Sequence, residues 1–334
     1  MLTDMRRLMH PLISARVLPA LFAGIIATTW LGSPTEVTAA EEATGAKKSE
    51  GWTKAMSQSE LARDLGDFKK SHKFLQEALK KSPPGFPTAV TNTQLTEVLL
   101  QLGEYQKARD AAKKALAMAS EISQIPELRG QVLEAYAHAL FRTEGDKAEI
   151  EQSSDWALKI RQDRNSPLTP RYTDYGLRHN ASGFWFAAKL GDLHRLNAKR
   201  ASKDAPHVAG SYTIWLGKSA VFAHVIVHPK SGGSLRQSFD RVRAVMRQRL
   251  KGAKRLSKGD FKAAKSLGLK GLEAQWTTTP PDKSSKLWHG LYFLEHGRFF
   301  IQIRSRALAT EAKRAAMLID GMARSFKWGH AIKN

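Results

Sequence analysis

Six basic residues crowd one short stretch of the chain: Lys251, Lys254, Arg255, Lys258, Lys262 and Lys265 are opposed only by Asp260. Upstream, Arg236, Arg243 and Arg247 recur at helical spacing, away from the apolar face formed by Leu235, Phe239, Val242 and Met246. The chemistry such residues offer is electrostatic: they attract polyanions and anionic surfaces at long range. The Gly232-Gly233 turn also sets a helix N-terminus beside these cations, a place where a small anion could rest. Arg236, Arg243, Arg247, Lys251, Lys254, Arg255 and Lys258 are therefore the candidate anion- or partner-binding residues. The competing reading is a solvated basic face that only supports solubility.

Covalent and metal chemistry finds no comparable constellation. Gly217-Lys218-Ser219 has the end of a phosphate-binding loop, but the position of that motif's first glycine holds Tyr212. The sequence contains no G-x-S-x-G elbow and no H-E-x-x-H helix. His224 and His228 fall on one face of a predicted strand, where four residues separate them by about 13 Å, too far to share a metal. His289 and His296 flank a predicted hairpin with no acidic or nucleophilic partner evident in sequence, and Asn180-Ala181-Ser182 fits a glycosylation acceptor. With no cysteine in the chain, disulfides, thiolate nucleophiles and Cys-ligated metals are excluded. No catalytic, cofactor-binding or metal-ligating residue is assigned, and no cofactor is expected.

The formal charge of +22 is unevenly spread over the 334 residues. Residues 41–166 carry 19 residues of each sign, whereas residues 167–334 carry 31 Lys and Arg against 10 Asp and Glu. That break suggests two separately composed domains. Before them, Arg6, Arg7 and Arg16 precede an apolar run from Val17 to Gly32 and small residues at Val37-Thr38-Ala39-Ala40. A basic start, a short apolar core and a small-residue site predict a secretory signal over residues 1–40, hence a periplasmic or extracellular protein. The run is 16 residues long and contains Pro19, against the roughly 20 needed to span a bilayer; an uncleaved N-terminal anchor is the alternative.

Residues 41–51 are small and polar and read as a flexible spacer; from Trp52 to about Gln162 the periodicity is helical. Three glycines, Gly66, Gly103 and Gly145, are each followed 12 residues later by an Ala-Leu pair. A fixed offset of this kind describes a helix–turn–helix unit that must stack on copies of itself to bury its apolar face. Gly66-Asp67-Phe68, Ser71, Leu75, Ala78-Leu79 and Pro83 resemble the second half of a tetratricopeptide repeat, as do Gly103, Tyr105, Ala108, Ala112 and Ala115-Leu116. The third copy keeps Gly145 and Ala157-Leu158 but has Lys147 in place of the aromatic residue. The resemblance implies stacked helical hairpins with a protein-binding groove. The inner positions it indicates, Met56 and Glu60, Thr93 and Glu97, and Ala135 and Ala139, lack the basic clamp some members use for a terminal carboxylate. The other reading is a helical scaffold that holds the second domain or mediates self-association.

After a linker over 163–180, residues 181–330 predict strands at Phe184–Phe186, Ser211–Leu216 and Val221–Val227, then a helix capped by Ser234. A further β region is expected from about Lys262 to Thr279. A hairpin follows, with Leu287–Leu294 and Arg298–Ser305 joined around Glu295-His296-Gly297, and then a closing helix from about Thr310 to Ala323. That order is α+β with a mainly antiparallel sheet flanked by helices. Gly183-Phe184, the helix after a strand pair and the terminal Ser325-Phe326-Lys327 resemble the PsbP/Mog1-like group of α/β/α sandwiches. That resemblance implies an accessory or binding module.

The expectation is thus an exported, non-enzymatic adaptor. Its repeats would engage a protein partner, and its basic domain an anionic envelope polymer, a lipid headgroup or an acidic protein; export disfavours nucleic acid. A hydrolase or transferase with its site in a cleft of the C-terminal domain, and a protein for structural oligomerisation, are the alternatives.

Overall fold

A computed structural model describes residues 39–118, 125–163, 165–200, 207–217, 219–250, 252–279 and 285–328. Residues 1–38 of the expected signal, Lys218 and the candidate Lys251 lie outside them. Among the described residues no helix is long and apolar enough to cross a membrane. The fold class is α+β, a helical region followed by an antiparallel sheet with flanking helices.

Among the described residues six helices come first, in three hairpins: α1 (Ala39–Asp64) with α2 (Phe68–Lys81), α3 (Phe86–Leu102) with α4 (Tyr105–Ala117), and α5 (Pro126–Arg142) with α6 (Lys147–Asp163). In each, the glycine lies two residues before the first residue of the second helix. The amides of Asp67, Glu104 and Gly145 close the first helix onto the carbonyls of Ala62, Leu99 and Leu140, at 2.9, 2.9 and 2.8 Å. Gly66 and Gly103 take the left-handed conformation this closure requires, with φ of +81° and +76°. In the third hairpin that conformation falls on Glu144, at φ +51°, so the turn is one residue longer and Gly145 instead packs closely on Leu140. Ala78, Ala115 and Ala157 are fully buried. Small side chains there let neighbouring helices approach, which explains the fixed offset in the sequence.

Two expectations are corrected. The 41–51 segment is part of α1, not a flexible spacer; its Ala, Glu and Lys favour helix, and buried Trp52, Ala55 and Met56 anchor the same helix against its neighbours. The 163–180 segment is not a plain linker. It holds β1 (Leu168–Arg171) and β2 (Gly176–His179), which form a three-stranded antiparallel sheet with β3 (Trp185–Phe186). Burial of Leu168, Leu177 and Phe186 fixes that sheet in place.

The remaining strands are β4 (Lys189–Leu190), β5 (Leu193–Arg200), β6 (Val208–Trp215), β7 (Ala220–Pro229), β8 (Lys254–Asp260), β9 (Lys270–Thr278), β10 (Leu287–His296) and β11 (Phe299–Leu308). They form one antiparallel sheet in the order β4-β5-β6-β7-β11-β10-β9-β8. Among the described residues three α-helices accompany it: α7 (Leu235–Arg249), α8 (Lys262–Ser266) and α9 (Ala312–Arg324). The β region expected from Lys262 is thus a short helix followed by β9. The strand before it, β8, grows from the basic segment, where an edge position leaves charged side chains in water and hides the strand pattern.

Alternation along the strands builds two different faces. On one, Val221, Ala223, Val225 and Val227 join Trp288, Tyr292, Ile301 and Ile303 under Ala315, Ile319 and Met322 of α9. On the other, Leu272, Ala274, Trp276, Leu291, Phe293 and Phe300 pack against Leu235, Phe239, Val242 and Met246 of α7. A capping box starts α7: Gln237 N donates to Ser234 Oγ at 3.2 Å and Ser234 N to Gln237 Oε1 at 2.8 Å.

Candidate anion-binding face and the interlayer cavity

α7 covers only the β9–β10 side of its face, so its outer surface is free to carry charge. Arg236, Arg241, Arg247 and Arg249 are exposed there, and Lys254 and Arg255 are exposed on the adjoining edge strand β8. Two of the candidates have an acidic neighbour: Arg243 Nε and Lys258 Nζ lie 3.1 and 3.5 Å from Asp240 Oδ1. Asp240 thus ties the helix to the edge strand and takes up part of their charge. The structure therefore brings Arg236, Arg243, Arg247, Lys254, Arg255 and Lys258 onto one helix and the neighbouring strand, with Arg243 and Arg247 lining a surface recess together with Ala244 and Gln248.

The residues considered for other chemistry serve local structure. Gly217 (φ +88°) turns the hairpin between β6 and β7, where Leu216 N donates to Ser219 O at 2.7 Å. Asn180 Oδ1 accepts from Thr169 Oγ1 at 2.6 Å, and Ser182 is buried against His179. His296 stacks on Trp328 with ring centres 4.5 Å apart. Among the described residues no group of three or more His, Asp and Glu is placed to hold a metal ion.

A second polar assembly, not foreseen from the sequence, lies where the helical hairpins meet β5. A cavity of about 150 Å3 there is lined by Arg63, Glu97, Gln101, Glu134, Arg161, Tyr175 and Arg195, among others. Arg63 Nη1 stands 3.4 Å from Glu97 Oε2, and Arg161 makes a two-pronged contact with Glu134, Nη2 to Oε2 at 2.9 Å. Arg195 donates to the carbonyls of Phe186 and, at 2.7 Å, of Tyr175. Burial pushes the Glu97 carboxyl above its ordinary range, with Arg63 and Arg195 pulling the other way. The Tyr175 phenol is likewise pushed up by burial. Each carboxylate already has a guanidinium from another helix, so the two ion pairs tie helix to helix beside β5, while Arg195 bonds backbone carbonyls. Sequence inspection places Glu97 on the inner face of its hairpin, but its arginine partner comes from another helix and Arg195 from a strand too polar to announce itself.

The inner surface of the hairpins is therefore occupied by the chain's own sheet layer. Gln101 bonds His194, His138 stacks on Tyr175 with centres 5.4 Å apart, and Phe141 meets Tyr172. No known protein-family description matches the chain. No curated protein matches it significantly.

Proposed function

We propose that the chain is a non-enzymatic binding protein that attaches to an anionic surface or ligand through the basic array on α7 and β8. The carrying observation is that array: exposed arginines on a helix and exposed cations on the next strand, with Asp240 engaging only two of them. The whole second half carries the same sign of charge, which would draw anionic material from a distance. The helical hairpins act in this reading as a scaffold, because their inner residues are already engaged by β5 and the 172–175 turn. A protein partner would instead meet an outer surface, where Trp156 is 49% exposed on α6. Together with the expected export signal, this supports an envelope adaptor.

The test is retention of the mature protein on vesicles containing anionic lipid and on an anionic cell-wall polymer, at low and high salt. Replacing Arg236, Arg241 and Arg247 by Gln should weaken retention and flatten its salt dependence. Retention equal to that of the unaltered protein at both salt concentrations would refute the reading.

A further inference from the structure

α7 and β8 form the two walls of a channel along an open edge of the larger sheet. β8 pairs with β9 on one side and ends the sheet on the other. Phe261 N donates to Gly271 O at 3.1 Å. Alternation along an antiparallel pair then turns the backbone N–H and C=O of Lys258 and Asp260 outward, away from β9. Groups of this kind are a template for another extended chain.

The facing wall is one stripe of α7. Arg236, Asp240, Arg243 and Arg247 recur there at intervals of three and four residues. The 3.5 Å contact between Asp240 Oδ1 and Lys258 Nζ turns that stripe toward β8. On the strand, Arg255 and Lys258 stand opposite Trp276 and Ala274, which pack under α7, so their side chains share its face of the sheet. Asp260 joins them, opposite Leu272. Across the channel Arg236, Arg243, Arg247, Arg255 and Lys258 outnumber Asp240 and Asp260, and Arg243 and Arg247 line a recess of about 350 Å3. A bulge between Arg255 and Ser257 takes Leu256 out of the pairing and leaves it 55% exposed on the same strand.

We propose that this edge takes up an acidic, extended segment of another protein as an added strand beside β8. The inference rests on the anion-binding reading of the same array and names its ligand. Main-chain hydrogen bonds to Lys258 and Asp260 supply affinity. Every second side chain of the added strand faces the channel, where Asp or Glu meets the arginines. Charge selects the partner: cations along the edge repel a second copy of this basic chain and admit an acidic one. A diffuse anionic surface has no use for an open edge, whereas an extended peptide uses both the edge and the charge.

Fluorescence anisotropy at constant ionic strength tests the site on the mature protein, with a short labelled peptide alternating Glu and Thr. It should bind saturably, one per chain. A Lys–Thr counterpart should bind at least about 10-fold more weakly, and so should the Glu–Thr peptide N-methylated on alternate residues, which keeps its charge but loses donors. R247Q combined with R255Q should weaken the Glu–Thr peptide by about 10-fold or more. Saturating peptide should slow amide hydrogen exchange at Lys258 and Asp260. Equal affinity for any two of the three peptides that include the Glu–Thr one, or unchanged exchange at those amides, would overturn strand addition. A dimer of the unaltered protein in sedimentation velocity, protected at the same amides, would give the edge to a second copy and overturn it too. Retention on anionic vesicles or polymer without peptide binding overturns this inference alone, and loss of all three overturns the array's anion binding as well.

Discussion

Gln101 and His194, 93 residues apart in the chain, share a hydrogen bond of 2.8 Å between Oε1 and Nδ1. This bond joins α3 to β5, and Phe68 reinforces it by standing against the same imidazole at 5.1 Å. The aromatic residue that follows the first repeat glycine therefore reaches across to the sheet as well as packing within its own hairpin. The helical and sheet layers are held together by polar and aromatic contacts as much as by apolar burial.

Gly66 is the tightest point of that joint. A methyl group added there would lie 3.0 Å from Trp215 N and 3.2 Å from Thr213 Cγ2, and its φ of +81° is strained for any other residue. Gly66→Ala should cost about 2 kcal/mol or more in urea unfolding. Gly103→Ala shares the conformational strain, but an added methyl group meets nothing within 4 Å, so it should cost less. Equal losses would remove the close contact with the sheet from the account.

Glu134→Gln leaves Arg161 without its carboxylate in a site where its side chain is only 20% exposed. The expected loss is about 3 kcal/mol, the lower end for breaking a buried pair. Adding Arg161→Gln should restore part of it. A double-mutant cycle by denaturant unfolding measures the coupling, and strictly additive losses would show that the pair does not interact.

Acid should destabilise the fold through its histidines. Burial holds His179, His224 and His289 down at about 4, below their ordinary 6.5. Between those values the unfolded chain binds protons that the native chain refuses. Their contribution is therefore complete above about pH 6.5 and is lost as pH falls toward 4. Asp64, raised to about 6 by burial, works in the opposite direction, stabilising as pH falls from about 6 toward 3.8. Glu97 and Glu273, also raised by burial, work in the same direction as Asp64. The histidines that burial holds low include His138, His194, His228 and His296 as well. They outnumber these carboxylates and should still lower the urea midpoint from pH 6.5 to 4.5. His224→Gln should make that decline shallower, and an unchanged slope would show that His224 titrates normally.

The cations of β8 have a second role. This strand is an edge of the sheet, and Lys254 and Arg255 are exposed along it. Lysine and arginine on an edge discourage pairing with another chain. Replacing Lys254, Arg255 and Lys258 by Thr should produce concentration-dependent association in sedimentation velocity. A strictly monomeric variant would show that the edge is guarded by something else.

Local rules made much of the architecture legible in advance. The Gly66 and Gly103 turns, the buried alanines behind them, the Ser234 cap and the β10–β11 hairpin each depend on residues close together in the chain. Among the strands that escaped notice, β5 and β8 lie toward the two ends of the larger sheet and carry polar side chains, so alternation did not mark them. The 41–51 segment escaped because small polar residues suit a spacer as well as a helix until a buried anchor such as Trp52 decides.

By itself, the amino-acid sequence determined the helical hairpins, the α+β order and the concentration of positive charge in the second half, because periodicity, turn chemistry and charge are local properties. Only the tertiary structure decided that the hairpins' inner face is taken by the chain's own β5 and that Arg63 meets Glu97. It also set Ser211, His224, Arg304 and Leu291 in one row of the sheet. Those neighbours come from segments far apart in the chain, and strand register together with layer packing, not spacing along the sequence, brings them together.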